Sequence, residues 1–240
     1  MEFEKEWKDY AGPKGFWGFG PAWKDASIIF FGPEFGGGKN VSEVKRRIKF
    51  WREHTSFVEF PEFDKAVSKN AKASVKGNLG IRTFRSLIAV LVGSDKEDCR
   101  EYMKKYFGTK NERVSWSDLS ALPCRNLSHG AFRMLYRMKR LEYESRYLPA
   151  RIKEIQDAFA NLKGKTIILY GSSPLWPIVF PGDWKWPGRG KHPIGKMEFN
   201  RNKVFWIAHG NKWGQKLRYF EKFGKENGID RLIRDSKARA

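Results

Sequence analysis

Cysteine is scarce in this chain. Two thiols, Cys99 and Cys124, cannot build a disulfide framework, a Cys-rich zinc site or an iron–sulfur cluster. Histidine is nearly as rare, and His54, His129, His192 and His209 show no close ligand spacing, so no metal or other cofactor is expected. Long apolar runs are missing as well: the longest, Leu87 to Val92, falls far short of the roughly 20 residues that cross a bilayer. The first residues, Met1-Glu2-Phe3-Glu4-Lys5, lack the charged and apolar regions of a secretion signal, so an intracellular protein without a membrane partner is expected. Negative charge is in deficit too. Asp and Glu number 27 against 47 Lys and Arg, a net charge of +20. A positive field of that size favours a polyanionic partner, and nucleic acid leads the candidates.

Nothing in 240 residues with 40% apolar content forces a second domain, and a single domain over 1–240 is expected. Residues 1–24 are rich in aromatics and glycine without a clear period, as in Phe16-Trp17-Gly18-Phe19-Gly20-Pro21, and read as an irregular segment packing on that domain. Ordered alternation follows. Ser27–Phe31, Thr166–Tyr170 and Lys203–Ala208 are short apolar runs ended by glycine-bearing turns, the pattern of buried parallel strands, and Leu119–Cys124 reads as another. Between them, helical spacing marks Val41 to Trp51, with Asn40 and Glu43 as a capping box. It also marks Ile81–Val92, Lys96–Phe107, His129–Tyr147 and, beyond Pro149, Ile152 to Leu162. Residues 54–79 read as irregular. The expected architecture is α/β, a three-layer sandwich whose short, mainly parallel four-stranded sheet is flanked by helices.

Ligands of such sheets sit beyond the carboxyl ends of the strands. Glu34, Asn126, Ser172, Ser173 and His209 fall there, a set of polar groups suited to a reaction centre. The order of these segments resembles the uracil-DNA glycosylase superfamily. Gly32-Pro33-Glu34-Phe35-Gly36 is similar to its first motif, GQDPYH or variants ending in PG, with Phe35 where the motif has Pro. Asn126 falls where the second strand delivers a base-reading Asn, Leu169-Tyr170-Gly171-Ser172 is similar to LWGS, and His209-Gly210-Asn211 stands where the family has HPS. Gly36 resembles the single-strand-selective monofunctional and mismatch-specific branches, which lack the Tyr of the uracil-specific enzymes at that place.

The resemblance implies a monofunctional DNA glycosylase that hydrolyses the N-glycosidic bond of uracil, or of a 5-substituted or deaminated base, flipped out of DNA in base-excision repair. Glu34 would stabilise the cationic sugar and orient water, and His209 would hydrogen-bond the departing base. Asn126, with Phe35 and Gly36, would form the base pocket. Trp213 would fill the gap left by the flipped nucleotide, and Lys39, Arg189, Lys191, Lys212 and Lys216, with Ser172 and Ser173, would contact DNA. The same residues allow plainer roles: a helix-capping Glu34, a turn-forming Asn126, a strand-end His209, a core Trp213. A glycosylase-fold protein that binds DNA without chemistry is the main alternative. A phosphate-loop enzyme is a weaker one, since Pro33 and Asn40 stand where that motif needs Gly and Ser or Thr. A monomer is expected, because a long polymer needs the face left open.

Overall fold

The computed structural model describes residues 7–8, 17–34, 41–54, 56–67, 82–122, 129–171, 173–186, 195–207 and 217–237. They form an α/β fold around one five-stranded sheet of order β2-β1-β3-β5-β4. The strands are β1 (Ile28–Glu34), β2 (Val114–Ser120), β3 (Thr166–Tyr170), β4 (Gly195–Phe199) and β5 (Asn202–Ile207). The helices are α1 (Val41–Glu53), α2 (Phe60–Val67), α3 (Arg82–Val92), α4 (Lys96–Lys105), α5 (His129–Tyr136), α6 (Arg140–Ala160), α7 (Trp176–Val179), α8 (Leu217–Glu226) and α9 (Ile229–Lys237). Among the described residues no helix is long and apolar enough to cross a membrane.

The sheet is buried on both faces, which explains why its central strands read as unbroken apolar runs. Ile28, Ile29, Phe30 and Phe31 are wholly buried, and so are Ile167, Ile168 and Leu169. Phe30 and its register partner Trp116 stack at 4.5 Å and meet Phe84 of α3 and Phe107. On the opposite face Phe31 packs against Trp23, Phe159 of α6 and Phe180. Helix α8 joins the first face through Phe223 on Phe205, and α3, α8 and α9 pack together there. The result is three layers.

Several boundaries differ from the sequence reading. The sheet has five strands rather than four, because β4 and β5 form an antiparallel hairpin. Its two-residue turn, Asn200-Arg201, has positive φ at both positions (50° and 63°), the conformation that favours Asn-Gly, and Arg hides the signal. Strand β2 is Val114–Ser120, not Leu119–Cys124. Its polar-apolar alternation suggests one solvated face, yet all seven residues are buried. Two of its three hydroxyls find partners inside: Trp23 Nε1 donates to Ser117 Oγ at 2.8 Å, and Ser120 Oγ donates to Tyr143 Oη at 3.2 Å.

The stretch read as irregular contains α2, whose Phe63 stacks on Trp51 of α1 at 5.0 Å. The expected helix His129–Tyr147 divides at Arg137, where φ is +52°. Helix α6 then runs unbroken through Pro149 to Ala160. A proline costs its helix the hydrogen bond to the carbonyl four residues earlier, here Ser145. Both residues are exposed, on the side of the helix away from buried Tyr143, Leu148, Ile152 and Ile155.

The edge strand β2 is covered by the amino-terminal segment. Phe19 and Trp116 exchange two backbone hydrogen bonds of 2.8 and 3.0 Å, forming an antiparallel bridge. Behind this edge the carboxyl group of Glu112 accepts hydrogen bonds from Tyr102 Oη, from Trp116 Nε1 and, at 2.6 Å, from Gly108 N. Burial nevertheless pushes this acid up to about 8.

Candidate active site at the carboxyl edge of the sheet

Strands β2, β1, β3 and β5 are neighbours and parallel, so their carboxyl ends line one edge. Glu34 is the last residue of β1, and its backbone is in register with Ser120, the last residue of β2. Its side chain lies outside the described residues, as do Phe35, Gly36, Lys39, Asn126, Ser172, Arg189, Lys191, His209, Lys212, Trp213 and Lys216. In sequence these residues follow the carboxyl ends of β1, β2, β3 and β5, apart from Arg189 and Lys191, which precede β4. Ser173 is described and only 5% exposed. Its Oγ accepts from Leu175 N at 3.2 Å and its carbonyl from Trp176 N at 3.3 Å, so it shapes the turn into α7.

At the same edge the fold brings together a polar group that the sequence reading passed over. Asp118 of β2 and Tyr170, the last residue of β3, flank Gly32 of β1, with Tyr170 Oη donating to Asp118 Oδ1 at 3.4 Å. They meet because the strand between them has no side chain there. A Cβ built on Gly32 would stand 2.1 Å from Asp118 Oδ1 and 2.4 Å from Tyr170 Oη. Arg151 of α6 is fully buried behind the pair, donating from Nε to Leu119 O at 3.1 Å and from Nη2 to Asp118 O at 3.2 Å. Its guanidinium also sits 4.6 Å from the ring centre of Trp17.

Burial pushes the Asp118 carboxyl well above the usual carboxylate range, and Tyr170 and Arg151 pull it back only in part. Tyr170 is raised too, by burial and by its acidic neighbour. Burial thus favours the protonated form of both groups, a carboxylic acid beside a phenol, on either side of Gly32 and two residues before Glu34. The sequence signal for it was one glycine in an otherwise bulky strand. Linking that glycine to Asp118 and Tyr170 required the strand register.

Charge is unevenly spread over the surface. A concavity of about 610 Å³ along α1 is lined by Lys45, Arg46, Ile48, Lys49, Arg52 and Glu53, a predominantly cationic set that suits phosphate. A second hollow, about 470 Å³, lies among α3, α4, α8 and α9. Asp95, Asp98, Glu101, Glu221 and Asp230 line it beside Lys225, so it repels a polyanion. Among the described residues, no group of three or more His, Cys, Asp or Glu side chains could hold a metal ion. Compared with protein-family models, with curated proteins and with solved structures, the chain matches none.

Proposed function

We propose that the chain is a monofunctional DNA glycosylase that works inside the cell as a monomer, removing uracil or a related 5-substituted or deaminated base flipped out of DNA. One observation carries the reading: the four strands that precede the glycosylase-like segments are parallel neighbours, ending on a single edge. The charge of +20 and the basic concavity on α1 add a surface suited to a phosphate backbone.

In the proposed reaction the C1′–N bond breaks, leaving positive charge on the sugar and negative charge on the base. Glu34 stabilises the sugar cation and orients the water whose oxygen bonds to C1′. The water's proton balances the charge of the released base. His209 donates a hydrogen bond to the base oxygen as its charge develops, and Asn126 reads the polar edge with one donor and one acceptor.

The test is a panel of labelled oligonucleotides carrying uracil, 5-hydroxymethyluracil, hypoxanthine or a G·T mismatch, treated with alkali after incubation. Strand breaks at one of these bases are expected, falling at least about a hundredfold in E34Q and H209A. Salt-sensitive binding with no break at any base would refute the enzyme reading and leave a DNA-binding module.

A further inference from the structure

We infer that the hollow along α1 is a phosphate track for the backbone of duplex DNA, in which Lys45, Lys49 and Arg52 contact consecutive phosphates without reading sequence. The inference rests on the nucleic-acid part of the proposed function and not on base excision; it names where on the chain the duplex is held.

Lys45, Lys49 and Arg52 stand at helical spacings of four and three residues, so they form one row on α1, and all three are exposed. Arg46, half-buried, lines the same hollow of about 610 Å³. Its guanidinium is already held, donating from Nε to the carbonyl of Val67, the last residue of α2, at 3.2 Å and from Nη1 to Ser42 Oγ at 3.1 Å. Like charges three and four residues apart destabilise a helix. Elsewhere the chain avoids this arrangement. Helices α4, α6 and α8 answer their surface cations with acids at the same spacings: Arg100 with Glu97, Lys105 with Glu101, Lys153 with Asp157, Lys222 with Glu226 and Lys225 with Glu221. The neighbouring stripe of α1 does so too, through Arg47 and Glu43. Lys49 and Arg52 form no ion pair among the described residues. Glu53, the one acid among the described residues that line the hollow, follows Lys49 by four residues yet makes no ion pair with it. The row is thus an unneutralised cationic strip, and an anion laid along it removes the repulsion.

Length and lining select that anion. From Lys45 to Arg52 the row runs about 10 Å at 1.5 Å per residue, which matches three phosphate steps of about 3.4 Å along one strand. No aromatic ring lines the hollow among the described residues, so an unpaired base finds nothing to stack on and contact is through the backbone. A duplex carries one charge per about 1.7 Å of axis against about 3.4 Å for one of its strands, so contacts of this kind hold it more strongly. A membrane surface fits less well. The apolar residue in the lining, Ile48, is 1% exposed and cannot insert among lipid chains.

Fluorescence anisotropy with a labelled blunt duplex of unmodified bases, over a range of salt concentrations, tests the inference. K45A/K49A/R52A should flatten the dependence of log affinity on log salt by about 2.7, three phosphates at about 0.9 each. At about 0.1 M salt its affinity should fall about a hundredfold or more. Its melting temperature should not drop, because repulsion within α1 is relieved. K49A/R52A should flatten the slope by about 1.8, and it decides the matter should the triple variant be less stable. K105A/K153A/K222A removes the same charge from ion-paired positions and should change the slope by less than about 0.5. An equal change in the two triple variants, a slope within about 0.5 of the unmodified chain in K45A/K49A/R52A, or tighter binding to a single strand of the same length overturns the track and leaves the proposed function standing. Phosphatidylserine vesicles that bind the unmodified chain but not K45A/K49A/R52A, with duplex affinity unchanged, would reassign the hollow to a membrane surface and overturn it too. Failure of the unmodified chain to bind either nucleic acid overturns both readings.

Discussion

Replacing Gly32 by alanine probes the geometry on which the carboxyl edge depends. The new methyl group would land 2.1 Å from Asp118 Oδ1, 2.4 Å from Tyr170 Oη and 2.6 Å from Tyr170 Cζ, all far inside contact distance. Relief by backbone movement is blocked, because β1 is hydrogen-bonded to β2 and to β3 and Arg151 grips the Asp118 carbonyl. The two side chains must therefore turn away, breaking their hydrogen bond in a buried setting. Overpacking of this kind costs about 1–3 kcal/mol. A buried polar group left without its partner costs about 1–3 kcal/mol more. Since one rearrangement relieves part of both, the expected loss is about 3 kcal/mol. For a chain of this length that lowers the melting temperature by roughly 6–12 °C. Urea denaturation followed by circular dichroism measures it. In a D118A background the same substitution should cost about 1 kcal/mol less, because the nearest obstacle is gone. A G32A protein within about 0.5 kcal/mol of the unmodified chain, or an identical cost in both backgrounds, would refute the packing argument.

The raised acids predict a pH dependence of stability. Glu112, pushed by burial to about 8 from an ordinary 4.5, holds a proton in the fold that the unfolded chain gives up. Its contribution is complete below about 4.5 and disappears as pH rises through about 8, with Asp118 acting in the same direction. Urea midpoints should therefore fall from pH 5 to 9, and E112Q should flatten that slope; an unaltered slope in E112Q would assign the titration elsewhere. Burial also pushes the Cys99 thiol up to about 11. In a C124S background a thiol reagent at pH 8 should label Cys99 only after denaturation, and rapid labelling of the folded protein would contradict its burial.

How far the fold could be read in advance depended on where each strand lies. The interior strands β1, β3 and β5 are apolar runs because helices cover both faces, and their sequence carries that signature directly. Strand β2 is equally buried but contains Ser115, Ser117, Asp118 and Ser120. Several of these find distant partners, such as Trp23 and Tyr143, which no local window reveals. Strand β4 was hidden by its exposed Lys196 and Glu198, which break the apolar run, and by an Asn-Arg turn. The continuity of α6 depends on the exposure of one carbonyl, a tertiary fact. Within the candidate site, Glu34, of which only the backbone is described, and Asn126 and His209, which lie outside the described residues, were legible as candidates through motif order. The couple of Asp118 and Tyr170 was not, since its members stand 52 positions apart and meet only across Gly32.

The bridge between Phe19 and Trp116 bears on how this sheet avoids growing. A five-stranded sheet has two rims, and a bare rim is a template on which another copy can add a strand. On the β2 side an incoming strand would first have to displace Phe19, whose ring is wedged among Trp51, Phe60 and Phe63. On the β4 side it would meet Lys185, already bonded to Lys196 and bringing a second positive charge to the rim. Aromatic wedging guards one flank and electrostatic repulsion the other.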